Sequence, residues 1–113
     1  MMVRYVKSDG HTCDEAQDGQ IAVNIVKKMM LEDGGENMYD VILMDFIMPN
    51  MDGPTATKEI RALGYKGAIF GVTGNGLESD IEYFKSHGAN DVLIKPLNYS
   101  EFMRAMSIHI VNM

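Results

Sequence analysis

Tyr39-Asp40-Val41-Ile42-Leu43-Met44-Asp45-Phe46-Ile47-Met48-Pro49-Asn50-Met51-Asp52-Gly53-Pro54 decides the fold of this chain. Val41 to Met44 is a short, continuously apolar run between a Gly34-Gly35 loop and a Pro/Gly turn. A run of that length without alternation reads as a strand buried on both faces. Asp45 ends it, and a carboxylate is costly to bury unless a partner or water reaches it. Two readings follow. Asp45 is a loop or capping acid that happens to follow a strand, or a reactive acid held at the mouth of a parallel sheet.

The flanking segments alternate in kind. After the turn, Asp52 suits an N-cap and Pro54 the first turn of a helix running to about Leu63, with Ala56, Ile60 and Leu63 inward. Ala68 to Val72 is a second apolar strand, ending at Thr73. A Gly74-Asn75-Gly76 loop leads to a helix marked by Leu77, Ile81 and Phe84 and closed by Gly88. Asp91 to Ile94 is a further strand, ending at Lys95-Pro96. Asn98 and Glu101 have capping-box spacing before a last helix with Phe102, Met103, Met106 and Ile110.

Upstream, Asp18 caps a helix from Gln20 to Leu31 whose inner face holds Ala22, Val23, Val26, Met29 and Met30. His11 to Ala16 reads as a short strand. Met2, Val3 and Val6 are spaced as on a helix over Met1 to Ser8, stopped by Asp9-Gly10; a strand is the alternative, since the segment is short and rich in Val and Tyr. The order is a helix, then four strand–helix units. This predicts one domain over 1–113 with an open parallel α/β sheet and helices on both faces.

Composition narrows the function. A net charge of -6 and a pI near 4.9 argue against unaided binding to nucleic acid or an anionic membrane. No apolar run reaches membrane-spanning length. Arg4, Lys7 and Asp9 break the pattern of a signal peptide, so a cytoplasmic setting is expected. The single Cys13 cannot form an internal disulfide and is more often a small core residue than a reactive thiol. His11, His87 and His109 fall on different elements and suit capping or solvated roles better than a zinc site.

Asp45, Thr73 and Lys95 each stand at the C-terminal end of a predicted strand. Open α/β sheets bind ligands outside those ends. A carboxylate, a hydroxyl and an ammonium in one crevice suit phosphoryl transfer. The carboxylate can attack phosphorus to form an acyl phosphate, while the other two stabilise phosphoryl oxygens. Singly, each has a structural explanation: Lys95 as a solvated lysine closing a strand, Thr73 as a helix or turn cap, Asp45 as an ion-pair partner of Lys95. Jointly, three at equivalent strand ends favour a site.

Asp45-Phe-Ile-Met-Pro-Asn-Met-Asp-Gly53, Val72-Thr73-Gly74 and Ile94-Lys95-Pro96 resemble the receiver domain of two-component response regulators. Gly10-His11, Glu15-Ala16, Asp18-Gly19 and Ala22 look like that family's second strand and helix. The resemblance implies a flavodoxin-like (CheY-like) fold, N-terminally truncated, with four predicted strands. It implies that Asp45 accepts a phosphoryl group from a phosphohistidine on a histidine kinase or phosphotransfer protein. It matches Thr73 and Lys95 to the residues that meet the phosphoryl group, and Asp45 with the Ile47 carbonyl to ligands of Mg²⁺. The Lys95-Pro96 bond matches one that is often cis in the family.

The chain departs from the family pattern in lacking the usual first strand and its acidic pair. Impaired Mg²⁺ binding is therefore expected. So is a His11–Ala16 strand that pairs directly with the Asp45 strand, detaches, or exchanges into a homodimer. Val92 stands where the family often has an aromatic residue, and Gly74 where a small residue such as Ala is usual. The rival class is a pseudo-receiver that binds a partner without being phosphorylated. A haloacid dehalogenase-like hydrolase needs a second acid where this chain has Ile47, so no enzyme is expected.

Overall fold

Strand β3 (Val41–Asp45) is apolar at successive positions because both faces are covered. Ile42 and Met44 enter one core, and Val41 and Leu43 enter the other. Strand β4 (Ala68–Thr73) divides the same way, with Ile69 on the first side and Ala68, Phe70 and Val72 on the second. The computed structural model describes residues 2–6, 10–14, 18–33, 41–47, 50–74 and 76–109. The remaining elements are β1 (Met2–Val6), β2 (Gly10–Asp14), α1 (Gly19–Asp33), α2 (Gly53–Ala62), α3 (Glu78–Ser86), β5 (Asp91–Ile94) and α4 (Tyr99–His109).

The sheet order is β2-β1-β3-β4-β5. Strands β3, β4 and β5 are parallel, with Asp45 opposite Val72 and Thr73 opposite Ile94. Helices α1, α2 and α3 cover the first face through Ala22, Val23, Val26, Ala56, Ile60 and Phe84. Helix α4 covers the second through Ala105, Met106 and the partly buried Phe102. These elements follow the sequence expectation closely. Asp52 caps α2, its Oδ1 accepting the Thr55 N–H at 2.8 Å. Gly88, at φ 115°, ends α3 with Gly88 N–H on the Lys85 carbonyl and Ala89 N–H on that of Phe84. Asn98 caps α4 by accepting from Ser100 and Glu101 N–H. Ile110 lies outside the described residues.

The N-terminal expectation is corrected. Met2 to Val6 is a strand, not a helix, so the described sheet has five strands rather than four and is mixed rather than purely parallel. Strand β1 pairs antiparallel with β2 from Met2 opposite Asp14 to Val6 opposite Gly10. It also pairs antiparallel with β3, Met2 opposite Ile42 and Val3 opposite Val41. Of the three alternatives for the second strand, direct pairing with the Asp45 strand and detachment do not occur, because β1 lies between the two and pairs with both. The physical cause is the inner edge of β3. Its backbone groups need partners, and a Val- and Tyr-containing segment supplies them at lower cost than an isolated helical turn and a half.

Two close contacts fix how the layers meet. Phe84 packs onto Gly71 of β4, where a Cβ would fall 2.5 Å from the ring. We expect Gly71→Ala to cost about 1–3 kcal/mol, the usual range for forcing an extra carbon into a packed core. A shift of the urea midpoint at unchanged slope checks it. At the opposite end of the strands from Asp45, Arg61 of α2 donates to the carbonyls of Tyr65, Gly67 and Gly88 and to Asn90 Oδ1. Asn90 Oδ1 also accepts the Ile69 N–H at 2.9 Å. One guanidinium thereby ties together α2, the loop to β4 and the loop to β5. Partial burial lowers its pKa, but a guanidinium stays charged.

Candidate functional site at the carboxyl ends of the strands

Asp45 leaves the core where β3 ends, and its side chain is 46% exposed. The chain stays beside β4 for one more residue, with Phe46 N–H on the Val72 carbonyl at 2.9 Å. It then turns, and Gly53 N–H returns to the Phe46 carbonyl at 2.9 Å. Ile47, within this turn, is 90% exposed. The Phe46 ring packs edge-on to Phe84 at 5.6 Å and lies 6.1 Å from Tyr83, so the residue after Asp45 is anchored on α3.

Lys95 follows β5 directly. Its Nζ is 3.1 Å from Asp45 Oδ1, and both side chains are about half exposed. Its N–H donates to the Thr73 carbonyl at 2.8 Å, which holds the ends of β4 and β5 together. Thr73 is only 5% exposed. The Lys95–Pro96 peptide is cis. Adjacent strands thus bring the three anticipated residues to one edge, with an ion pair already formed across two of them.

The other acids are placed differently. Strand β2 runs parallel to β3, since both are antiparallel to β1, so Asp14 ends its strand at the same edge. It is level with Ile42 through Met2, three residues short of Asp45 and two strands away. Asp9 lies outside the described residues. Among the described residues, no three His, Cys, Asp or Glu side chains form a group able to hold a metal ion. His87 and His109 have local partners: the Tyr83 carbonyl accepts from His87 Nδ1 at 2.8 Å, and His109 Nε2 lies 3.4 Å from Asp91 Oδ2. Val92, the residue in place of an aromatic, packs against the first core.

One pair was not legible in the sequence. Asp18 is buried at the start of α1, with Oδ1 accepting the Ile21 N–H at 2.8 Å as a cap should. Its Oδ2 accepts from Asn50 Nδ2, also at 2.8 Å, in the loop after Asp45. Asn50 has φ 67°. The only sequence signal was an asparagine in a turn, the residue after glycine best suited to that conformation. The Ile21 N–H first, and then the Asn50 amide, hold the Asp18 carboxyl below its usual pKa. The stabilisation they give is present at neutral pH and is lost as pH falls through that lowered value.

Residues 1–107 match the family model described as "Response regulator receiver domain". The chain belongs to that family. As a receiver domain it has the CheY-like fold of two-component signalling proteins. It is similar to the two-component response regulator ORR41 of Oryza sativa subsp. japonica, at 39% identity over 89 residues covering 79% of this chain and 65% of that one. It is 34% identical to the transcription factor SKN7 of Saccharomyces cerevisiae over 93 residues, 82% of this chain and 14% of that one. The chain therefore spans less than two thirds of either relative. Among solved structures, the receiver domain of the sensor histidine kinase PA1611 from Pseudomonas aeruginosa PAO1 is 35% identical, with a TM-score of 0.67 over 83% of this chain and 72% of that one. That structure has a magnesium ion coordinated in its active-site cleft.

Receiver domains bind Mg²⁺, and the donors here fit that ion in kind. The Asp45 carboxylate and the Ile47 carbonyl are hard oxygen ligands, and Mg²⁺ commonly completes its shell with water. Two such ligands come from the turn itself, and no group of three acidic, His or Cys side chains stands beside them among the described residues. No helix among the described residues is long and apolar enough to cross a membrane.

Proposed function

We propose that this chain is a phosphoacceptor of a two-component phosphorelay, with Asp45 as the acceptor. The observation that carries the proposal is the Asp45–Lys95 pair, 3.1 Å apart at the carboxyl edge, with Thr73 on the strand between them. One Asp45 oxygen attacks the phosphorus of a phosphohistidine on a histidine kinase or phosphotransfer protein. The P–N bond breaks, its electron pair stays on the imidazole nitrogen, and that nitrogen takes a proton from solvent. Lys95 starts as the counterion of the free carboxylate and turns to the phosphoryl oxygens as they arrive. Thr73 offers its hydroxyl to the same oxygens from the neighbouring strand.

Asp45 and the Ile47 carbonyl would hold Mg²⁺, which supplies further charge neutralisation. With two protein ligands among the described residues and water completing the shell, we expect weak affinity. The chain acts as a cytoplasmic signalling module rather than as an enzyme with turnover. Strand β2, one of the two edge strands of the described sheet, offers an edge for pairing with a second copy.

The short ligand count favours a second reading, a pseudo-receiver that binds its partner without being modified. One experiment separates the two. The folded chain is incubated with acetyl phosphate and Mg²⁺ and weighed intact. We expect a gain of one phosphoryl group, which borohydride trapping and peptide mapping place on Asp45. No gain from a chain that is folded by circular dichroism rejects the acceptor reading and leaves the binding module.

A further inference from the structure

We propose that the Asp18–Asn50 hydrogen bond is a clamp that sets the reactivity of Asp45 by fixing the loop that follows it. The proposal rests on the acceptor reading of Asp45. Capping α1 requires only one carboxylate oxygen, and Oδ1 does that through Ile21 N–H. The other oxygen reaches across 32 positions of sequence to Asn50 Nδ2. Asn50 holds its left-handed backbone at φ 67°, which a glycine would adopt with less strain. What asparagine adds is the amide that meets Asp18.

A second contact lies beside the first. A Cβ on Gly19 would fall 2.4 Å from the Met51 carbonyl, so the loop backbone rests directly on the first residue of α1. The loop is also closed on itself by Gly53 N–H and the Phe46 carbonyl. Phe46, the residue that leaves Asp45, is thus tied to β4 and α3 and, through Gly53, to the far end of the turn, while Asn50 and Met51 meet the start of α1. Neither Asp18 nor Asn50 touches Asp45 in the described contacts. They are positioning residues, acting through the loop. In-line attack needs the carboxylate oxygen placed to within a fraction of an ångström, and a misplacement of about 1 Å costs on the order of 10²-fold in rate.

The polarity of the bond makes the test. Asn50→Asp sets one carboxylate against another and breaks the clamp. Adding Asp18→Asn restores it in reverse, since the new amide at 18 caps Ile21 through oxygen and donates to position 50 through nitrogen. We expect Asn50→Asp to slow labelling by saturating phosphoramidate about tenfold, a modest part of what misplacement can cost, with the half-saturating concentration unchanged. The double variant should return to within about twofold of the parent, because its clamp again places the loop. Hydrogen exchange of the Gly53 amide should rise in the single variant and recover in the double.

Should Asn50→Asp fail to fold, Asn50→Gly, which keeps the backbone and deletes the amide, must show the same slowing. A labelled parent with the variant at the parent rate overturns the clamp. So does slowing that the double variant does not repair, which would mark a merely structural role. A parent that gains no phosphoryl group overturns the acceptor reading and this role with it, and shows itself before any variant is compared.

Discussion

Asp45→Asn is expected to take up no phosphoryl group from acetyl phosphate, while Lys95→Ala keeps the reaction but loses about 10²–10³ of its rate, the usual effect of removing one preorganised stabilising group. The amide in Asp45→Asn has no free carboxylate electron pair to attack phosphorus. Lys95→Ala leaves the nucleophile in place and removes the ammonium 3.1 Å from it. The two variants should be nearly silent in stability. The pair is about half exposed, and such ion pairs contribute roughly 0–1 kcal/mol. Lys95 also keeps its backbone bond to the Thr73 carbonyl whatever its side chain. The expected pattern is a large kinetic effect with an almost unchanged urea midpoint. Intact mass over time reads the first and fluorescence or circular dichroism the second. Lys95→Ala reacting at the parent rate would remove Lys95 from the mechanism. An Asp45→Asn chain labelled as well as the parent would remove Asp45.

Gly53→Ala should be the most destabilising single-carbon change in the described structure, costing about 3 kcal/mol or more, at or beyond the upper end for overpacking. A Cβ at Gly53 would fall 2.0 Å from the Asp45 carbonyl oxygen and 2.8 Å from both the Asp45 carbonyl carbon and Phe84 Cζ. Two of those neighbours are backbone and cannot rotate away. The contrast with Gly71→Ala is informative, because there the obstruction is a ring that can tilt. Relief at Gly53 requires the end of β3 to move, so whatever folded protein remains should also label slowly. A Gly53→Ala chain unfolding within about 0.5 kcal/mol of the parent, as ordinary surface changes do, would show that the turn is looser than the contacts imply.

How much of this was legible in the sequence depended on where each signal was stored. Val41 to Met44 and Ala68 to Val72 announce their strands because a strand buried on both faces must be apolar throughout, and the edge strand Asp91 to Ile94 is announced by a short apolar run between a Gly88 cap and Pro96. Asp52, Pro54 and Gly88 announce helix ends because the orphan backbone groups there accept few residue types. The trio of Asp45, Thr73 and Lys95 followed from those strand ends. Met2, Val3 and Val6 misled, since over five residues they satisfy helical and extended spacing alike. What decided between them was the open edge of β3, a tertiary fact. Asn50 and Arg61 were illegible for a related reason. Asn50 meets an acid 32 positions away, and three of the four acceptors of Arg61 are backbone carbonyls, which carry no sequence signature.

The reversed direction of β1 has a practical consequence for handling this protein. A parallel strand in its place would begin at the edge farthest from Asp45. Here Met2 is level with Ile42, three residues or about 10 Å below Asp45 along β3, and the strand runs away from the acceptor side from there. A fluorescent label placed at Met2 would therefore stand nearer the crevice than one placed at Val6. A label intended to leave phosphoryl transfer undisturbed belongs at the Val6 end of the strand.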